Sequence, residues 1–379
     1  MERLHKVSKA AHTVKPPYAV PSMADIAAIP WNGFNVVSTF SGCGGSCLGY
    51  RMAGFRVVWA SEVVPAAQAA YRANHQGFLD TRDIRQVQPA DILNATGLDV
   101  GEIDIFDGSP PCQAFSTCGQ GSKAWGTQRK YGDATQANEN MFFEYARLLD
   151  GLQPRAFIAE NVAGLVRGHS IGYFKMILKA LQEAGTGYTV EARVLDAQWL
   201  GVPQMRTRLV IQGVRSDLGR KPAFPSPLPY RYSVRDACPF SFPEMVRPYH
   251  TYRGKRNTKP VTVAPPGFHI EPEAWLKPHL AYLKYWKETK LGCSHAVRFN
   301  CERLHPEQPA SCITSSGLHT YHSHEPRHLS LFELRRVCGF PDDFVLPGSF
   351  SQGWARLGNA VPPLMMRAIA TAVRDGVLA

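Results

Sequence analysis

The sequence contains no run approaching the roughly 18 apolar residues that a membrane helix requires. A signal core is also missing: Arg3, Lys6, Lys9 and Lys15 are basic, but Pro16, Pro17 and Pro21 interrupt the stretch where an apolar core would stand. These absences argue against a secreted or membrane protein. Nine cysteines are an odd number, scattered too widely for a disulfide framework, and they suit a reducing compartment. Cys293, His295, Cys301, His305 and Cys312 lack the paired short knuckles of a structural zinc site, so no metal is expected. Internal repeats and long low-complexity tracts are missing too. The chain has 379 residues, 44% of them hydrophobic, and is long enough for one large domain and a smaller one.

Charge is the most informative part of the composition. The chain has 42 Lys and Arg against 31 Asp and Glu, a formal net charge of +11. The excess is local: residues 213–300 hold 15 basic and 6 acidic residues, whereas 31–212 and 301–379 are balanced. The same block holds 12 of the 29 prolines. A confined basic block points to a polyanion, most simply nucleic acid, and otherwise to a merely soluble basic surface.

Strand and helix patterns alternate from Asn35 onward. Apolar runs at Phe34–Phe40, Val57–Ser61, Ile103–Phe106, Ala156–Ala159 and Leu209–Val214 read as strands. Helical patterns occur at Leu48–Ala53, Ala66–Asn74, Met141–Leu149 and Tyr173–Ala184, and later at Leu331–Cys338 and Pro363–Val373. This alternation predicts an α/β fold with a doubly wound, mostly parallel Rossmann-like sheet. The expected division is an N-terminal arm at 1–33, a catalytic domain at 34–212 and a smaller irregular domain at 213–346. A C-terminal segment, 347–379, is expected to return to the catalytic domain.

Three groups of residues carry chemistry. Phe40-Ser41-Gly42-Cys43-Gly44-Gly45 joins a strand to a helix, where glycines permit a tight turn and close backbone approach to a ligand. Glu62 ends the next strand, 20 residues after Gly42, and suits ribose hydroxyls. Together these favour a nucleoside cofactor, with NAD and S-adenosylmethionine both open. Asp107-Gly108-Ser109-Pro110-Pro111-Cys112-Gln113 comes after another strand, and two prolines would fix Cys112 on the rim of the ligand crevice. Glu160 ends the strand Ala156–Ala159. Arg206 and Arg208, two apart on an extended segment, point the same way.

Five segments in order resemble the cytosine-5 DNA methyltransferases. They are Phe40–Gly45, Pro110–Gln113, Glu160-Asn161-Val162, Gln204-Met205-Arg206-Thr207-Arg208 and Gly358-Asn359-Ala360-Val361-Pro362-Pro363. The resemblance spans roughly residues 34–373 and implies a class I methyltransferase fold using S-adenosylmethionine and yielding S-adenosylhomocysteine. It implies that Cys112 is the nucleophile, that Glu160 holds ring nitrogen 3 of the cytosine, and that Arg208 binds its carbonyl with Arg206 in support. Phe40, Gly42, Gly44, Gly45, Glu62, Val63, Asp83, Ile84, Asp107, Pro110, Asn359 and Ala360 would form the cofactor pocket, with Asp83 toward the adenine amino group.

The same resemblance makes residues 117–139 a catalytic loop that closes on DNA and 213–327 a target-recognition region. Ser116, Lys123, Arg129, Lys130, Gln204, Arg253, Lys255 and Arg256 are the expected DNA contacts. Expected partners are double-stranded DNA and a cognate restriction endonuclease, with the chain monomeric, off the membrane and cytoplasmic. The sequence departs from the family pattern at Val64, where a second carboxylate is frequent, and at Phe332-Glu333, where an Arg-Glu pair is usual. The catalytic loop is also longer than usual and lacks the arginine often found before its following helix. Rival readings are an RNA methyltransferase, a catalytically silent DNA-binding protein and an NAD-dependent oxidoreductase.

Overall fold

Apolar strands and one-sided helices assemble into a seven-stranded sheet. The protein is described by a computed structural model covering residues 14–111, 129–131, 134–136, 141–241, 280–296, 301–315 and 320–379. Helix α1 (Met23–Ala28) is set by a capping box between Ser22 and Asp25. After it come β1 (Asn35–Thr39), α2 (Gly45–Met52), β2 (Arg56–Ser61), α3 (Pro65–Asn74), β3 (Phe78–Asp80), α4 (Pro89–Thr96) and β4 (Ile105–Gly108). Strands β5 (Arg129–Tyr131) and β6 (Ala134–Gln136) pair as a hairpin. Next are α5 (Met141–Leu152), β7 (Ala156–Val162), α6 (Ile171–Glu183), β8 (Tyr188–Asp196) and β9 (Thr207–Arg215).

The sheet order is β3-β2-β1-β4-β7-β9-β8. Strand β9 runs antiparallel to both β7 and β8, while every other neighbouring pair is parallel. The order reverses between β1 and β4, where a doubly wound sheet opens a ligand crevice at its strand ends. Central strands are covered on both faces, as parallel strands require. Val36, Ile105, Ile158 and Val210 face one apolar layer; Val37, Phe106, Phe157 and Ile211 face the other, beneath α5 and α6.

The remainder contributes α7 (Val234–Ala237), α8 (Leu280–Glu288) and a small sheet of β10 (Cys293–Ser294), β11 (Glu302–Arg303) and β12 (Thr320–Tyr321). Helices α9 (Leu331–Val337), α10 (Phe350–Asn359) and α11 (Pro363–Val373) complete the described chain. Pro363 opens α11 with the fixed φ that a first helical turn accepts. Helix α11 packs on α2 so closely that a Cβ at Gly49 would lie 2.6 Å from Met366 Cβ. Met365 and Ile369 of α11 share the apolar layer of Val36 in β1.

Every strand expected from the sequence is present, with β7 and β9 longer than the pattern suggests. The expected boundary at 212/213 falls inside β9. Val234, Leu304 and Leu334, expected in a separate module, share one apolar layer with Val36 and Met365. Apolar side chains on both sides of position 212/213 thus share one core. No helix among the described residues is long and apolar enough to cross a membrane.

Candidate active site

The glycine turn is shaped by three local constraints. Phe40 sits at φ 54°, a left-handed conformation unusual for a residue with a side chain and a mark of strain held by its surroundings. A Cβ on Gly44 would meet the His75 ring at 2.1 Å, and one on Gly45 would meet the Val361 carbonyl oxygen at 2.3 Å. Glycine at 44 therefore serves packing against α3; Gly44 does not itself line the cavity, contrary to expectation. Glu62 clamps the turn from the end of β2: its carboxylate accepts from the Gly42 N–H at 2.8 Å and the Val64 N–H at 2.7 Å. Burial pushes the Glu62 carboxyl up, and those backbone donors oppose the shift.

A cavity of about 290 Å³ opens between this turn and the ends of the central strands. Phe40, Gly42, Gly45, Glu62, Val63, Asp83, Ile84 and Pro110 line it, and Asn359 and Ala360 close it from the end of α10. Asp83 caps the short turn after it and pairs with Arg85, whose guanidinium holds the carboxyl below its usual value.

Asp107 departs from its expected place. It lies beneath the cavity, accepting from Ser38 Oγ at 2.9 Å and the Tyr50 hydroxyl at 3.0 Å, and is not part of the lining. Its burial in the sheet pushes its carboxyl up to about 7.

At the other end of the cavity, β7 and β9 supply an ion pair. Glu160 pairs in register with Val210, and Val162 with Arg208, so Glu160 and Arg208 are diagonal neighbours on one face. Arg208 Nε lies 3.0 Å from Glu160 Oε1. Both side chains are largely buried yet border the cavity. Asn161 turns the other way and donates to the Pro110 carbonyl at 2.8 Å, binding the proline turn to β7. That bond sets the point at which the chain leaves toward Cys112.

Arg206 also borders the cavity, but it is tied into the fold. Its guanidinium donates to the Ile313 carbonyl at 2.9 Å and the Gly358 carbonyl at 3.0 Å. It ties Ile313 and the end of α10 to the segment just before β9, a positioning role. Gln204, expected to touch DNA, is fully buried; its side-chain amide oxygen accepts from the Ile313 N–H and its nitrogen donates to Cys338 Sγ. Gln204 and Arg206 are covered where residues 310–313 dock on residues 203–206, the segment before β9, a contact that no local pattern signals.

Cys112, Ser116, Lys123, Arg253, Lys255 and Arg256 lie outside the described residues. Arg129 and Lys130 lie on β5, where only the backbone is described. Sequence reasoning missed the lining residues Ile313–Ser315 and Arg356. Arg356 carried a faint signal: α10 opens with a Ser349/Gln352 capping box and repeats apolar residues at Phe350, Trp354 and Leu357.

The glycine turn, the acidic strand end and the Glu160–Arg208 pair thus face one cavity. The family model for the C-5 cytosine-specific DNA methylases matches residues 34–375. The chain belongs to this family. It is a DNA cytosine-5 methyltransferase, and the mostly parallel sheet with one reversed strand is its class I fold.

Two curated relatives are Type II methyltransferases. M.MthTI of Methanothermobacter thermautotrophicus is 29% identical over 363 residues, 91% of this chain and 99% of its own. M1.HphI of Haemophilus parahaemolyticus is 30% identical over 346 residues, 89% and 86% of the two chains. Among solved structures, a prophage-encoded DNA modification methyltransferase of E. coli aligns with a TM-score of 0.67 at 21% identity. That alignment covers 92% of this chain and all of the other. A Spodoptera frugiperda DNMT2 variant aligns at 0.57 and 18%, covering 88% and 98%. These structural likenesses bear on the fold.

Proposed function

We propose that the protein methylates carbon 5 of a flipped cytosine in a specific duplex DNA sequence, using S-adenosylmethionine and a covalent Cys112 adduct. The observation that carries this reading is the Glu160–Arg208 pair, 3.0 Å apart, in the same cavity as the glycine turn and Glu62. Carbon 5 of cytosine is too electron-poor to be methylated unaided. Addition of the Cys112 thiolate to carbon 6 converts the ring to an enamine with a nucleophilic carbon 5. Glu160 holds a proton at nitrogen 3, so the electron pair displaced onto the ring is neutralised as the sulfur bond forms. Arg208 keeps Glu160 in place through Nε, donates to the Thr207 carbonyl through Nη1, and has Nη2 left for the carbonyl oxygen at carbon 2. Loss of the carbon 5 proton to a base then expels the thiolate and restores the aromatic ring.

The donor set fits the methyl donor. Phe40, Val63 and Ile84 offer apolar faces for adenine, Glu62 retains lone pairs for the ribose hydroxyls, and the turn opens onto the N-terminus of α2. When bound there, S-adenosylmethionine supplies an electrophilic methyl group. Asp83 and Ile84 would mark the adenine end, and Pro110 the end facing the base.

Residues 117–139 would close over DNA, with Ser116, Lys123, Arg129 and Lys130 at the phosphates. Residues 213–346, and Arg253, Lys255 and Arg256 among them, would recognise the target. The Type II names of the relatives support pairing with a restriction endonuclease, and we read the protein as a monomer acting on DNA in the cytoplasm. Labelled methyl transfer to mixed genomic DNA and to tRNA tests the reading. Label should appear as 5-methylcytosine in DNA alone and vanish in Cys112→Ala; label in tRNA alone, or full activity in that variant, would overturn it.

A further inference from the structure

Among the described residues four arginines line the cavity, Arg82, Arg206, Arg208 and Arg356; Arg82 is paired with Asp80 and Asp91, and Arg356 is left without a role in the mechanism. Arg356, in the last turns of α10, lines the cavity and is only 6% exposed. Among the described residues its guanidinium makes no hydrogen bond or ion pair, and its Nε is buried without a partner. Nearby arginines are different: Arg206 donates to two carbonyls, and Arg208 pairs with Glu160. Enclosing a guanidinium with no hydrogen-bonding partner is unfavourable, so such a group is retained where a ligand supplies the acceptor.

The position of Arg356 selects the anion. Its own backbone carbonyl accepts from the Cys43 thiol, which places this part of α10 against the turn that opens α2. Glu62 feels the Arg356 charge without touching it, so the arginine stands beside the ribose site and not in it. The adenine end, at Asp83 and Ile84, is formed by the turn after β3, a separate wall of the cavity. A nucleoside carrying an amino-acid tail has one anionic group, the α-carboxylate. The free N–H groups at the start of α2 favour the same sign of charge.

We propose that Arg356 is the anchor for the α-carboxylate of the methyl donor's amino-acid tail, and hence the residue that separates full-length donor and product from truncated thioethers. This rests on the reading of the cavity as a site for S-adenosylmethionine. In binding, the guanidinium exchanges water for a charge-assisted, two-pronged contact with the carboxylate.

Calorimetric binding of S-adenosylhomocysteine and of 5′-methylthioadenosine, which lacks the amino-acid tail, tests the assignment without any turnover. Wild-type protein should prefer S-adenosylhomocysteine. Arg356→Met should lose about 10- to 100-fold in affinity for it, the range for a hydrogen bond to a charged group, and keep its affinity for methylthioadenosine. Arg356→Lys should recover part of the loss, which a misfolded variant would not do. Equal losses for both ligands would make Arg356 a structural residue, and no loss for either would place the carboxylate elsewhere; each overturns the proposal. Wild-type protein that binds neither ligand would remove the cofactor reading itself, a result distinct from both.

Discussion

Glu160 and Arg208 show how residue-level chemistry arises from register. Strand β7 continues through Val162, so Glu160 lies within the strand and is positioned by its pairing with β9. The sequence pattern ends that strand at Ala159 and still brings the right residue to the right edge. Asp107 is the counterexample. The family resemblance implied a cofactor contact, but the alternation of the strand turns Asp107 inward to Ser38 and Tyr50.

Burial raises the Asp107 carboxyl to about 7, from an ordinary value near 3.8 in the unfolded chain. Below the ordinary value both states are protonated and no stability is lost. As pH rises toward 7 the unfolded chain releases the proton first, so this residue's contribution to stability falls across that window. Urea unfolding at a series of pH values should show Asp107→Asn gaining on wild type from about pH 4 to pH 7. A constant difference over that range would refute the assignment.

Elements were legible where strand and helix periods were strong, and illegible where an element was short or its face mixed. Strand β3 has only three residues, and β8, at the sheet edge, has no sustained apolar alternation. Both strands end the sheet, and β8 has no consistently buried face to impose a period. Helix α9 shows a compensation the sequence concealed. Phe332-Glu333 stands where the family usually has an Arg-Glu pair, yet Glu333 finds its arginine six residues upstream. Arg327 Nη1 donates to Glu333 Oε2 at 2.7 Å and Nη2 to Oε1 at 2.9 Å, while Nε donates to Glu325.

Burial alone would push the Glu333 carboxyl up, but Arg327 overrides it and holds the group well below the carboxylate range. Glu333 also caps α9 through Ser330, so the pair ties the start of α9 to Glu325 and Arg327 before it. Arg327→Met leaves two carboxylates buried without their partner. It should cost about 3–5 kcal/mol, read from urea unfolding; a loss under about 1 kcal/mol would mean that the carboxylates find other donors.

The whole molecule divides its charge as it divides its work. The net +11 resides almost wholly in residues 213–300, whereas the sheet and its cavity belong to charge-balanced segments. The fold and most of the cavity could be read from ordered motifs, because glycine turns and strand ends are local. The docking of residues 310–313 and the end of α10 against residues 203–206 could not, because it depends on contacts distant in sequence. Neutralising Arg253, Lys255 and Arg256 together should weaken DNA binding and flatten its salt dependence, by about one unit of slope for each phosphate left unneutralised. Affinity for S-adenosylhomocysteine should not change. An equal fall in cofactor affinity would assign the basic block to the fold.

The central claim is the bond between Cys112 and cytosine. Fluorine at carbon 5 cannot leave as the proton does, so a methylated adduct on 5-fluorocytosine persists. Genomic DNA partly substituted with 5-fluorocytosine contains every short recognition sequence, so it traps the enzyme whatever its target. Incubated with this DNA and S-adenosylmethionine, the wild-type protein should form a denaturant-stable complex, and Cys112→Ala should form none. A stable complex with Cys112→Ala, or none with wild-type protein that methylates ordinary DNA, would contradict the account.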